Sequence, residues 1–128
     1  MRERLPDTTF ELLGPAMLIA KRELEYLTEA GAVISVPVLV YAPEKNDKDW
    51  GCRYTIGWPN GVEAQTAYGI DGVQALVLTL QSIGTSLYFS DYHKSGRLKW
   101  GDPNDGYGFP VPKDARDMLI GYDKRFDG

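Results

Sequence analysis

The chain has 128 residues, 43% hydrophobic and 25% charged, a balance that suits one compact globular domain rather than two domains or a disordered tail. Fourteen basic residues against eighteen acidic ones leave a net charge of -4, the wrong sign for a protein that grips nucleic acid through its phosphates. The single cysteine, Cys52, excludes an intrachain disulfide and every zinc pattern that needs two thiols.

Residues 1–16 hold Pro6, Asp7, Thr8, Thr9, Gly14 and Pro15 around a weak apolar triplet, which reads as an N-terminal arm ahead of a single α+β domain over 17–128. The apolar patch from Leu12 to Ala20 contains Gly14-Pro15 and runs into Lys21-Arg22-Glu23 without a small-residue cleavage site. No signal peptide is expected, and with one free thiol the cytosol is the default compartment.

Four strand-like runs follow. In the first, Leu18, Ala20, Leu24 and Tyr26 share one face, with Lys21, Glu23 and Glu25 on the other. After Thr28-Glu29-Ala30-Gly31, a run from Ala32 to Tyr41 places Ile34, Val36, Val38 and Val40 on one side. Pro37 inside it cannot donate to a ladder, which predicts an edge strand or a bulge. The third run alternates most clearly, with Trp50, Cys52, Tyr54, Ile56 and Trp58 pointing one way. Pro59-Asn60-Gly61 supplies a tight turn, and Val62, Ala64, Thr66, Tyr68 and Ile70 continue the alternation as the apolar face of a fourth strand. Consecutive hairpins imply a four-stranded antiparallel meander.

Asp71 is placed to cap a helix, with Gln74 where a capping box wants it. Val73, Leu76, Val77, Leu80, Ile83 and Leu87 recur at three and four residues as one apolar stripe, with Ala75 and Leu78 on the far side. The charge-free stretch Gly72–Ser90 approaches membrane-spanning length, but two Gln, three Ser and two Thr within it predict a long helix buried between protein layers instead. An irregular Gly-, Pro- and aromatic-rich segment follows, with a short strand candidate at Arg97-Leu98-Lys99-Trp100. After Pro112, the spacing of Ala115, Met118, Leu119, Tyr122 and Phe126 predicts a C-terminal amphipathic helix. Strands in a block and then helices give an α+β fold with helices on one sheet face.

No catalytic, cofactor or metal constellation emerges. Cys52 lies on the apolar face of its strand, as a small buried hydrophobe would, and His93, the one histidine, falls in the polar turn Asp91–Gly96. The acidic clusters at Asn46–Asp49 and Asp102–Gly106 fail the EF-hand spacing, since the twelfth positions are Trp58, counting from Asp47, and Lys113, counting from Asp102. Gly106-Tyr107-Gly108-Phe109 lacks the Gly-Lys-Ser/Thr ending of a phosphate loop. The expectation is a protein that is not an enzyme and needs no cofactor.

Charge is more informative. Through Asp71 there are seven basic and eleven acidic residues, and seven of each thereafter, so all the net acidity belongs to the sheet half. Glu23, Glu25, Glu44, Asp47, Asp49 and Glu63 would steer a basic partner, and Tyr92, Trp100 and Tyr107, in the irregular segment, would anchor it. Trp100 and Tyr107 read equally as a lid over the long helix, and Phe109 more so.

Ala42-Pro43-Glu44, Asp49-Trp50-Gly51-Cys52-Arg53-Tyr54, Ala67–Leu76, Gly96-Arg97-Leu98-Lys99-Trp100 and Gly108-Phe109-Pro110-Val111-Pro112 together resemble a family of small, uncharacterised bacterial proteins. The resemblance spans about Met17 to Leu119 and carries no activity or catalytic residue with it. It implies a bacterial cytosolic protein of the kind found beside secreted toxins as an immunity protein. The expected function is therefore a non-enzymatic protein-binding module that neutralises a basic toxin domain by direct contact, with no nucleic-acid or membrane partner. A small-molecule pocket between the long helix and Tyr107–Phe109, and a homodimer built on the edge strand containing Pro37, are the competing expectations.

Overall fold

A computed structural model describes residues 16–127. The arm expected over residues 1–16 falls, but for Ala16, outside the described residues. The elements are β1 (Leu18–Leu27), β2 (Val33–Tyr41), β3 (Glu44–Lys45), β4 (Trp50–Trp58), β5 (Gly61–Gly69), α1 (Gly72–Phe89), α2 (Asp91–Lys94), β6 (Leu98–Lys99), a 3-10 helix (Lys113–Met118) and α3 (Gly121–Asp127). The fold is α+β with a mostly antiparallel sheet. Six strands take part where four were expected: β4 pairs with β2, β3 and β5, and β6 adds beside β1 through Glu25↔Lys99 and Tyr26↔Leu98.

Pro37 is accommodated inside the sheet, between β1 and β4, and not at an edge. The β2–β4 ladder begins only at Val38, opposite Ile56, so the missing N–H of Pro37 falls just before the point where it would have been needed. The edge-strand reading of β2 is thereby corrected. Among the described residues, the unpaired side of the sheet at this end belongs to β5.

Residue contacts divide the described chain into two compact units, and β1, β2 and α1 contribute to both. The first unit comprises residues 16–21 and Val38–Thr79. Its core is Val38, Val40, Cys52, Tyr54, Ile56, Ala75 and Thr79. The alternation of β4 is borne out, but that of β5 is inverted: Val62, Tyr68 and, just past the strand, Ile70 are exposed, while Glu63 is half-buried. Among the described residues β5 has β4 for its one strand neighbour, and the register sets Val62 opposite Gly57 and Tyr68 opposite Gly51, on the face away from Cys52, Tyr54 and Ile56.

The stripe expected on α1 is also corrected. Val73 and Val77 are exposed, and Ala75, expected on the far side, is buried. The cause is a close approach of helix to strand, since a Cβ on Gly69 would lie 2.5 Å from the Ala75 backbone N. Only a small residue lets the helix come down there, and Thr79 then reaches the Cys52 carbonyl at 2.9 Å. The start of α1 follows the expected capping box: Gln74 N donates to Asp71 Oδ1 at 2.8 Å and Ile70 N to Gln74 Oε1 at 2.7 Å.

The second unit comprises Arg22–Pro37 and residues 80–127. Leu24, Val36, Ile83, Leu87, Tyr88, Leu98, Tyr107, Phe109, Val111 and Leu119 form its core. Gly84 is where the C-terminal half of α1 meets the later segment, since a Cβ there would lie 2.0 Å from the Pro110 carbonyl oxygen. The single C-terminal helix expected after Pro112 is two short pieces, because Leu119 is extended (φ -65°, ψ 147°) and Gly121 takes φ 54°. The break exposes Tyr122 and Phe126, which stack on one another at 5.3 Å rather than facing a core.

Candidate functional site

The densest polar cluster lies in the second unit, around a residue the sequence did not single out. Asp123 stands on the first turn of α3, where Tyr122 N and Asp123 N both donate to the Asp105 carbonyl and Tyr122 N also donates to Asp105 Oδ1. A Cβ on Gly121 would lie 2.4 Å from the Asn104 carbonyl oxygen, so the helix can start this close to the 104–105 turn only with glycine there. Asp123 is 1% exposed. Its Oδ2 accepts from Tyr88 Oη at 2.6 Å and Tyr107 N at 2.8 Å, and its Oδ1 from Gly108 N at 2.9 Å.

Gly106 and Gly108 have φ of 85° and 77°. A Cβ on Gly106 would meet Asp123 Oδ2 at 2.2 Å, and one on Gly108 would meet Arg22 Nη1 and the Trp100 ring at 2.6 Å. Both glycines are therefore required twice over, by conformation and by space. On the other side of the same loop, Arg22 Nη1 donates to the Tyr107 and Gly108 carbonyls at 3.2 and 3.0 Å. Its guanidinium lies 3.8 Å above the Trp100 ring and 4.9 Å from that of Phe109. Burial pushes the Arg22 pKa down and the charge of Asp123 partly restores it. The Gly106–Gly108 backbone is thus clamped, N–H groups on a carboxylate and C=O groups on a guanidinium.

The Tyr107 hydroxyl continues the cluster to His93 Nδ1 at 2.5 Å and to the Leu98 carbonyl at 3.4 Å. Burial pushes the His93 pKa down, which favours the neutral ring, and burial pushes the Tyr107 phenol up, with the Asp123 charge adding to the shift. Tyr107 therefore keeps its proton, and the short Oη–Nδ1 contact joins two neutral groups. Tyr88 is likewise held protonated, by burial and by its hydrogen bond to Asp123. Chemically this is a latch: at neutral pH neither phenol is a base or a nucleophile, and Asp123 has donors on both oxygens. His93 is half-buried in α2, with Ser90 Oγ capping its backbone N–H, rather than in an exposed turn.

Cys52 is buried as expected, and desolvation raises its pKa, so it stays a thiol and donates to the Tyr41 carbonyl at 3.2 Å. Among the described residues no group of three or more His, Cys, Asp or Glu side chains could hold a metal ion, and no helix is long and apolar enough to cross a membrane.

The residues expected to meet a partner divide between the units. In the second, Glu23 and Glu25 stand exposed on β1, Glu23 accepting a hydrogen bond from Ser35 Oγ and Glu25 paired with Lys99 at 3.7 Å. Glu25, Leu27, Val33, Gly96, Arg97, Lys99 and Pro103 line a groove of about 290 Å³. Tyr92 packs edge-on against Tyr26 with ring centroids 4.8 Å apart, and Trp100 is 39% exposed beneath Arg22. Tyr107, at 2% exposed, is no surface anchor: its ring packs among Tyr88 and His93 and its backbone is in the clamp. Phe109 is buried, at 4.9 Å from the Arg22 guanidinium.

In the first unit, Asp47 is exposed and Asp49 closes the β3–β4 turn, accepting from Asn46 through both side chain (3.1 Å) and backbone (2.7 Å). Glu44 is half-buried, its Oε1 without a hydrogen-bond partner. Glu63 turns onto β4, accepting from Tyr54 Oη and Trp58 Nε1, both at 2.9 Å, and so does not stand on a free face. Arg22, Tyr88 and Asp123 were missed because nothing local marks them. The two glycines flanking Tyr107 were the one visible sign.

The class these observations define is an α+β domain with a mostly antiparallel sheet, a long helix and a closed internal polar cluster. The chain belongs to the family described as a domain of unknown function, DUF6968, whose model matches residues 20–111. No curated protein and no solved structure matches it. Within this chain the family match covers every partner of Asp123 named above and ends before Asp123 itself.

Proposed function

We propose that this chain is a non-enzymatic protein-binding module, an immunity protein that neutralises a basic toxin domain by direct binding in the cytoplasm of a bacterium. The observation that carries the reading is the exposed side of β1 in the second unit. There Glu25 lines the 290 Å³ groove with exposed Leu27 and Val33, and Glu23 stands exposed on the same strand, combining charge for steering with apolar surface for affinity. The titratable groups that could do chemistry support the same reading, since Asp123, Tyr88 and Tyr107 are buried and bonded to one another. The competing small-molecule pocket beside Tyr107–Phe109 finds little support where α1 and the Pro110 carbonyl touch at Gly84.

The test is co-expression with the product of a neighbouring gene that is toxic on its own. Restored growth and a purified complex of the two chains are the expected result. Unrelieved toxicity with every neighbouring product, together with turnover of a small molecule by the purified chain, would overturn it.

A further inference from the structure

Strand β5 runs for nine residues with β4 on one side and, among the described residues, no strand on the other. An unpaired edge of that length offers a row of backbone N–H and C=O groups. Monomeric proteins blunt such edges with proline, lysine, a bulge or a covering segment. β5 reads Gly-Val-Glu-Ala-Gln-Thr-Ala-Tyr-Gly, without proline or lysine, and its register with β4 is unbroken from Gly61 to Gly69, so no bulge interrupts it. Its one charge, Glu63, faces back onto Tyr54 and Trp58. Apolar side chains stand exposed along it: Val62 at 72%, Tyr68 at 51% and, just beyond the strand, Ile70 at 80%.

We propose that β5 pairs with β5 of a second copy of this chain, antiparallel about a two-fold axis at Gln65, joining the two sheets edge to edge. The strand's own sequence selects that axis. Centring on Gln65 pairs all nine residues and sets Val62 of each copy against Tyr68 of the other, on the face where both are exposed. Glu63 then faces Ala67, whereas an axis at Glu63 would bring two carboxylates together and one at Ala67 would leave Val62 unpaired within the strand. The strand is self-complementary over its full length in this one register, as a two-fold contact requires, and this argues for a second copy over an unrelated strand. Nine residues make an edge about 30 Å long. Such an edge contributes a continuous ladder of backbone hydrogen bonds, to which the exposed side chains on both faces add apolar contact.

Sedimentation velocity of the full chain, supported by site-specific crosslinking, tests this. The unaltered chain should sediment as a dimer, and Gln65→Cys should give a covalent dimer on oxidation, because the two copies of residue 65 face each other within disulfide reach. Val62→Cys should not crosslink, since the two copies of residue 62 would lie about 20 Å apart along the paired strands. Cys52 is buried and does not compete. Gln65 is exposed, so Gln65→Lys should keep the circular dichroism spectrum and unfolding transition while shifting the species to monomer. A monomer for the unaltered chain, or Val62→Cys crosslinking as readily as Gln65→Cys, overturns the proposal.

Discussion

Asp123 shows how much one side chain can organise. A carboxylate buried without partners would cost several kcal/mol, and here three donors and the nearby Arg22 charge compensate it. Asp123→Ala leaves the Tyr107 and Gly108 N–H groups and the Tyr88 hydroxyl without their acceptor, and should destabilise the fold by about 3 kcal/mol. Thermal denaturation should show a midpoint lower by about 10 °C. Asp123→Asn should fall in the same direction, because its amide presents N–H to a donor. His93 gives the cluster a pH signature. Its pKa is lowered on folding from 6.5, so below that pH the unfolded chain binds the proton more readily and stability is lost as pH falls. Tyr88 and Tyr107 are raised from 10.0, so stability is also lost as pH rises past that value. Unfolding midpoints measured from pH 7.5 down to 5.5 should decline, and His93→Gln should flatten that decline.

Among the elements, α1 displays most clearly what local sequence encodes. Its existence and its cap are legible, because Asp71, Gln74 and a charge-free run at helical spacing are local signals. Its buried face is not, because apolar residues lie all round the helix with no charge to mark a solvent side, and the choice between Val73 and Ala75 is made by Gly69 of β5. The same holds at Gly84, whose closeness to Pro110 depends on a residue 26 positions away. Gly84→Ala should therefore destabilise by more than about 2 kcal/mol, although alanine is the better helix former by about 1 kcal/mol. Denaturant titration of the two proteins checks this, and a stabilised variant would contradict the packing. β2 and β4 were readable from period-2 alternation because they are central, with one face buried along most of their length. β5 carries the same alternation at an edge, where it indicates exposed apolar surface instead. The Asp123 cluster shows in the sequence only as the two glycines flanking Tyr107, since its hydrogen-bond partners lie 15 to 35 residues away and its helix is only seven residues long.

At the scale of the whole molecule, the net charge of -4 and its concentration before Gly72 underlie the proposed partner. The structure reassigns those charges without removing them: Glu63 is bound inward, Asp49 shapes a turn, and Glu23, Glu25 and Asp47 stand exposed. The Glu25–Lys99 pair is exposed and contributes at most about 1 kcal/mol, so either residue is free to re-pair with an incoming chain. Steering should therefore depend on Glu23, Glu25 and Asp47, and tight binding on Trp100, whose truncation should raise the dissociation rate more than about tenfold, or 1.4 kcal/mol. The most direct measurement is the association rate with the purified toxin domain across ionic strength, comparing the unaltered chain with Glu23→Lys and Glu25→Lys together. Slower association and a flatter salt dependence in the variant are expected. An association rate indifferent to both salt and these reversals would contradict binding of a basic partner through this face.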